Sequence, residues 1–79
     1  MPLHEAIAKR IIELCKQRGY TINAMTYKAG IPSSTVKNII YGKSLNPGIG
    51  TLKIVCDTLG VSLSEFFASA LLNDVFYDN

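Results

Sequence analysis

Side chains that could perform catalysis or bind a metal are few among the 79 residues of this sequence. The chain has a single histidine, His4, and two cysteines, Cys15 and Cys56. A structural zinc site takes four ligands, and these three residues do not supply them. The sequence also lacks a glycine loop that cradles phosphates and the turn that presents a catalytic serine. We therefore expect no enzyme activity, no metal and no cofactor.

Both cysteines fall at apolar positions of predicted helices. Cys15 continues the apolar stripe of a first helix, and Cys56 belongs to that of a fourth. A buried free cysteine behaves as a small hydrophobic side chain, so we interpret both as core residues. A redox or metal role is the weaker alternative, and a disulfide is weaker still.

The segment from Ile22 to Tyr41 has the pattern of two short helices joined by a tight turn. Thr21 is a residue type that caps helix N-termini, and Gly30 ends the first helix. Residues 30–32 form the turn, and the second helix runs from about Ser33 to Tyr41. This pattern predicts a helix-turn-helix, in which the second helix presents its N-terminal turn to the major groove of DNA.

Apolar residues at helical spacing predict three further helices. The first helix carries its stripe from Leu3 to Cys15 and ends at Gly19. A fourth spans about Ile49 to Leu59, and a fifth opens at Ser62 with Glu65 three residues later, which makes a capping box. The predicted apolar face of the fifth helix consists of Leu63, Phe66, Phe67, Ala70 and Leu71.

No segment alternates with the period of a half-buried strand. We therefore expect an all-α, compact fold of five helices, with a helix-turn-helix DNA-binding domain over residues 1–72 and a C-terminal tail over residues 73–79.

The N-terminus lacks the basic run and apolar block of a secretory signal, and no apolar stretch approaches the ~20 residues of a membrane helix. We expect a cytoplasmic protein with no membrane partner and no small-molecule ligand.

The net charge of +2 conceals an uneven distribution. Residues 1–53 hold all eight Lys and Arg residues against Glu5 and Glu13, whereas residues 54–79 hold the other four acidic residues and no basic one. A basic front and an acidic rear suit a polyanion bound at one end of the molecule. Ordinary surface solvation is the alternative explanation of the same charges.

A set of residues along most of the chain carries a family resemblance. Its members are Met25, Ala29, Gly30, Ile31, Ser34-Thr35-Val36, Ile39, Gly42-Lys43 and Asn46-Pro47, then Leu52, Leu59-Gly60-Val61-Ser62-Leu63 and Phe66-Phe67. With them the chain resembles the Cro/cI-type, or Xre-like, helix-turn-helix regulators over about residues 4–70. Thr26 departs from that family, where alanine is usual, and its hydroxyl is placed to bond back to the carbonyl of Ile22.

The resemblance implies a lambda-repressor-like fold and a sequence-specific DNA-binding transcriptional regulator, a repressor that occludes a promoter. It implies base contacts from Ser33, Ser34 and Asn38, the last of which can pair with adenine through two hydrogen bonds. The implied phosphate contacts are Thr21, Ile22, Thr35, Lys37, Tyr41, Lys43 and Ser44. Thr21 and Ile22 stand at a helix N-terminus, where unpaired amides favour an anion.

Four of these residues have a structural alternative. Ser33 and Ser34 are equally suited to capping the second helix of the motif. Asn38 is a polar residue that is also at home on a solvated surface. Tyr41 can pack against Lys43 or the following loop instead of meeting a phosphate.

The family resemblance also implies a homodimer on an inverted-repeat operator, with half-sites about one helical turn apart. The expected dimer interface is Phe67, Leu71, Leu72, Val75, Phe76 and Tyr77, because exposed apolar surface of this kind usually finds a partner. In the alternative, Val75 and Phe76 fold back onto the first helix.

A different function also remains open: a protein-interaction module, such as an antitoxin-like or antirepressor-binding partner, whose DNA-binding surface is weak or vestigial.

Overall fold

Five α-helices follow one another along the chain, close to the positions that the sequence predicts. The computed structural model describes residues 1–76. Its helices are α1 (Leu3–Arg18), α2 (Ile22–Ala29), α3 (Ser33–Ile40), α4 (Ile49–Leu59) and α5 (Leu63–Phe67), followed by a 3-10 turn at Ala70–Leu72. Within the described residues there is no strand beyond an isolated bridge between Pro2 and Phe76, so the predicted all-α fold is confirmed.

The core forms where the apolar stripes of α1 and α4 meet those of the shorter helices. Ile11 of α1, Val55 of α4 and Phe66 of α5 are fully buried, and Met25 and Val36 bring α2 and α3 onto the same cluster. The four helices after α1 have 11 residues or fewer and are too short to be stable alone in water, so this shared apolar surface stabilises them.

Cys15 and Cys56 are free and lie inside the core. Burial raises the pKa of both thiols, because it disfavours the charged thiolate, and the carboxylate of Asp57 adds to the rise at Cys56. The prediction that both are plain core residues is confirmed by their position. Within the part of the chain that the structure describes, no three His, Cys, Asp or Glu side chains come together as a metal site would need.

Two arginines of α1 hold the ends of other helices. The Arg10 guanidinium donates to the carbonyl oxygens of Phe66 at 2.9 Å and Glu65 at 2.8 Å, at the C-terminal end of α5. Arg18 donates to the carbonyl of Leu59, the last residue of α4, at 2.9 Å. The last carbonyls of a helix have no partner within it and carry partial negative charge, so these cations satisfy and stabilise both ends.

The fifth helix is shorter than the sequence predicts. The prediction of one apolar face running from Leu63 to Leu71 was wrong, because α5 ends at Phe67. Ser69 takes an extended conformation, and its hydroxyl accepts from the amide of Leu71 at 3.2 Å, which starts the 3-10 turn instead. Of α5, only Phe66 is buried.

The chain beyond the 3-10 turn returns to the start of α1. Phe76 pairs with the backbone on either side of Pro2: its carbonyl accepts from Leu3 at 2.9 Å, and its amide donates to Met1 at 3.2 Å. The Phe76 side chain remains 56% exposed. Tyr77, expected in the dimer interface, lies outside the described residues.

None of the helices described over residues 1–76 has the length and apolar character needed to cross a membrane.

Candidate nucleic-acid interface

The turn between α2 and α3 depends on a glycine and a proline. Gly30 has a φ of 74°, a left-handed conformation that other residues adopt only with strain. Its amide and that of Ile31 donate to the carbonyls of Tyr27 and Thr26, which closes α2. Pro32, the N-cap of α3, has an extended conformation, so residues 30–32 alone join the two helices. Two short helices joined in this way form the predicted helix-turn-helix.

The two faces of α3 differ sharply in burial. Val36 and Ile39 are buried against the core, whereas Ser34 and Asn38 are exposed on the opposite side. An α-helix with its side chains is about 10–12 Å across, close to the width of about 12 Å of the major groove of B-DNA. The free side of α3 therefore offers hydroxyl and amide groups on a helix that the groove can admit.

The three predicted base-contact residues differ in exposure. Ser34 and Asn38 are exposed, and Ser33 is half-buried at the first position of α3. The N-cap of α3 is Pro32, and no side chain caps this end of the helix. The interpretation of Ser33 and Ser34 as helix caps is therefore wrong, because a serine inside the helix cannot act as its N-cap.

The first turn of α2 is built differently from the first turn of α3. The Thr21 hydroxyl accepts from the amide of Ala24 at 3.1 Å, which confirms Thr21 as the cap. Ile22 is half-buried against the core, so its side chain contributes to packing. Only its backbone amide is then available to bind a ligand. An anion at this end would meet backbone amides and the hydroxyl of Thr21.

Thr26 sits at the close approach of α2 to its neighbours and is 1% exposed. Its hydroxyl lies 3.0 Å from the carbonyl oxygen of Ile22 and 3.1 Å from that of Asn23, so it donates back into its own helix as expected. The polar group is thereby satisfied inside the core, and α2 keeps its regular form from Ile22 to Ala29.

The segment after α3 is held in place by the end of that helix. The amides of Lys43 and Ser44 both donate to the carbonyl of Asn38, at 2.8 Å and 3.0 Å. Tyr41 is 71% exposed, which disagrees with the alternative of a ring packed against the loop. Of the other predicted phosphate contacts, Lys43 is exposed, whereas Thr35, Lys37 and Ser44 are half-buried.

The electrostatic character of this surface follows from the sequence between Glu13 and Asp57. No acidic residue occurs between them, so α2, the turn, α3 and the following loop contribute no negative side chain. Lys28, Lys37 and Lys43 supply positive charge in the same stretch. A phosphate backbone approaching the motif meets no carboxylate from the motif itself.

Asn23 and Tyr27 lie beside the predicted interface and were not predicted from the sequence. Both are exposed, and Tyr27 is 88% exposed. Five side chains line a shallow depression between α2 and the first turn of α3: Asn23, Thr26, Tyr27, Ile31 and Ser33. The helical period could have indicated them, since inward Met25 and Ala29 leave positions 23 and 27 on the outer face of α2.

Lys28, in the last turn of α2, is oriented by Tyr20. Its ammonium nitrogen is 2.7 Å from the hydroxyl of Tyr20 and 5.4 Å from the centre of the same ring. A cation over an aromatic face is stabilised by the negative charge of the ring surface. The arrangement holds the Lys28 ammonium against the ring and hydroxyl of Tyr20.

Comparisons with known proteins agree with this geometry. Residues 10–68 match the family model of the Cro/C1-type HTH DNA-binding domain. The chain is 41% identical over 59 residues to the HTH-type transcriptional regulator SlrR of Bacillus subtilis (strain 168), a match over 73% of this chain and 39% of SlrR. It therefore spans well under half the length of that curated relative.

A solved structure extends the similarity over nearly the whole chain. The crystal structure of the prophage Lp1 protein 11 superposes on this fold with a TM-score of 0.82 and 37% sequence identity. The match covers 95% of this chain and 100% of the prophage chain.

Proposed function

Because the chain belongs to the Cro/C1-type helix-turn-helix DNA-binding family, we propose that it is a sequence-specific transcriptional regulator whose α3 enters the major groove of double-stranded DNA. Family membership confirms the resemblance found in the sequence. Asn38 and Ser34 then contact base edges, with Ser33 beside them at the first turn. Thr21, Ile22, Thr35, Lys37, Tyr41, Lys43 and Ser44 contact phosphates.

One observation carries this proposal: the division of α3 into a buried and a free face. Val36 and Ile39 anchor the helix in the core, which fixes its position. Ser34 and Asn38 are left exposed, where their hydrogen-bonding groups are available to a partner. Asparagine in such a position suits adenine, since it can both donate and accept in the plane of the base.

Selection of bound duplexes from a random pool, followed by binding across a salt series, tests the proposal. We expect an enriched inverted repeat and an affinity that falls steeply with salt, because phosphate contacts release counterions. A chain that binds no duplex even at low salt would contradict it. That outcome would favour the alternative of a protein-interaction module.

The regulator binds its operator as a dimer and represses by occluding a promoter. The described chain measures 31 × 24 × 20 Å, whereas the two half-sites of such operators lie about 34 Å apart, so one copy reaches one half-site. The supporting surface is C-terminal: Phe67 and Phe76 are 40% and 56% exposed, next to half-buried Leu71, Leu72 and Val75. Tyr77 belongs to the same proposed interface.

Light scattering at increasing concentration tests the dimer separately from DNA binding. We expect a dimer that dissociates when Phe67 and Phe76 are both replaced by serine. A wild-type chain that stays monomeric at high concentration, and is unaffected by deletion of residues 73–79, would contradict this interface.

A further inference from the structure

Tyr27 is the most exposed large apolar side chain of the described residues, at 88%. It lies on the outer face of α2, in the helix-turn-helix itself, and not on the C-terminal surface proposed for the dimer. A tyrosine ring has few rotatable bonds, so it loses little conformational entropy when a partner covers it. Its hydroxyl can donate to an anion while the ring packs against an apolar surface.

The position of Tyr27 points to DNA because it shares a concave surface with the leading turn of α3. Ser33, the first residue of α3, forms one wall of the depression, and Asn23 and Tyr27 form the other. When the first turn of α3 enters the groove, the α2 wall faces the backbone that borders the groove. Sugar and phosphate groups take half or more of the hydrogen bonds in protein–DNA interfaces, and tyrosine is among the donors.

The chemistry of the depression fits one sugar–phosphate unit. Ile31 supplies apolar surface, and Asn23 and Tyr27 supply donors. No carboxylate lines the depression. The groups present therefore attract a phosphate and accommodate a deoxyribose.

We infer that Tyr27 and Asn23 bind one deoxyribose–phosphate unit at the edge of each half-site, with the Tyr27 hydroxyl donating to a phosphate oxygen. This inference rests on the proposed function and adds a contact that the sequence did not indicate. Because it involves the backbone, the contact strengthens binding to all sequences and leaves base preference to α3.

The test compares Tyr27→Phe, Tyr27→Ala and a control, Ile54→Ala, on a duplex enriched by the wild-type chain. Ile54 is a 40% exposed apolar residue of α4 outside the proposed contacts, so its replacement controls for removal of exposed apolar surface. Removal of one hydrogen bond to a charged group predicts about tenfold weaker binding for Tyr27→Phe. Tyr27→Ala weakens binding further, and Ile54→Ala does not.

Phosphate-ethylation interference locates the contact on the DNA. We expect one phosphate per half-site to interfere with wild-type binding and to have no such effect with Tyr27→Phe. Thermal melting of each variant establishes that it is folded, and we expect no loss of stability because the Tyr27 ring is exposed.

Two results overturn the inference and can be told apart. If the wild-type chain binds its duplex and both Tyr27 variants bind equally tightly, Tyr27 does not contact DNA and the proposed function stands without this contact. If the wild-type chain binds no duplex, the proposed function fails together with the inference.

Discussion

Asn38 and Val36 lie two residues apart on α3 and face opposite ways. Val36 is fully buried, and Asn38 is exposed. Thr26, in contrast, is a polar residue buried with its hydroxyl bonded to carbonyls of its own helix. At the scale of single residues, burial and hydrogen bonding thus separate the polar groups that build the motif from those left for a ligand.

Asn38→Ala is expected to relax the preference at one base pair of the half-site. Removing the paired hydrogen bonds to a base costs about 1–3 kcal/mol on the preferred sequence and little on others. Repeated selection from a random pool with the variant measures this. The matched control is Lys43→Ala, which should weaken binding to all sequences alike because it removes a phosphate contact. Unchanged sequence preference in Asn38→Ala would contradict the assignment.

Replacement of Thr26 tests how tightly α2 packs. Thr26→Ala loses a hydroxyl hydrogen bond and a methyl group but gains helix propensity, so we expect the free energy of unfolding to change by less than about 1 kcal/mol. Thr26→Leu overfills a site that is 1% exposed and should cost about 1–3 kcal/mol. Denaturant unfolding measures both. Equal stability of the two variants would show a loosely packed site.

At the scale of elements, the short helices depend on their ends. α5 has only five residues, and both of its ends are satisfied from outside its own hydrogen-bonding pattern. Ser62 and Glu65 form the capping box at its start, as the sequence predicts, and Arg10 binds the carbonyls at its end. The Arg10 side chain is 13% exposed, so this contact joins α1 to α5 in a partly dry environment.

The capping box should make stability depend on pH on the acid side. The backbone amide and the hydroxyl of Ser62 hold the pKa of the Glu65 carboxyl below its ordinary value. A carboxyl whose pKa is lower in the folded state stabilises the fold above its unfolded pKa, and this contribution disappears as pH falls through the folded pKa.

Two variants test this dependence. Glu65→Gln keeps a side chain that can accept from the Ser62 amide but cannot titrate, so it should flatten the stability profile on the acid side. Ser62→Ala should cost about 0.5–2 kcal/mol at neutral pH through removal of the cap. Ser33→Ala is the matched control, because Ser33 caps no helix and should leave stability nearly unchanged. A profile that is identical with glutamate and glutamine would contradict the argument.

At the scale of the whole molecule, the basic charges have two different uses. Arg10 and Arg18 bind helix C-termini, and Lys53 pairs with Asp57 at 2.6 Å. The positive charge available to a polyanion is therefore smaller than the eight basic residues of the sequence suggest. Lys37 and Lys43, on α3 and directly after it, are the cations that we propose for phosphate contact.

The dependence of affinity on salt distinguishes these uses. Replacing Lys37 or Lys43 by alanine should lower the slope of log K against log salt by about 0.9 for each phosphate that a bound copy no longer neutralises. Arg18→Ala should leave the slope unchanged and instead reduce thermal stability, because its guanidinium donates to the carbonyl of Leu59. A slope that falls equally in all three variants would show that Arg18 also meets DNA.

The helices, their caps and the helix-turn-helix could be predicted from the amino-acid sequence alone. Those features depend on local patterns: apolar spacing, a threonine or serine before a helix, and a glycine after it. Thr21, Gly30 and the Ser62–Glu65 box all occupy the predicted positions. The family resemblance rests on the same local signals, and it was confirmed for that reason.

Which exposed and charged groups are available to a partner depends on how the helices pack in the folded chain. Arg10 and Arg18 are of a residue type that is common at DNA-binding surfaces. Both instead donate to carbonyl oxygens at helix C-termini, in residues more than 40 positions away in sequence. The exposure of Tyr27 and its shared depression with Ser33 follow from how α2 and α3 pack across the turn. Whether a side chain is available to a ligand depends on neighbours that are distant in sequence, and a local sequence pattern does not predict those neighbours.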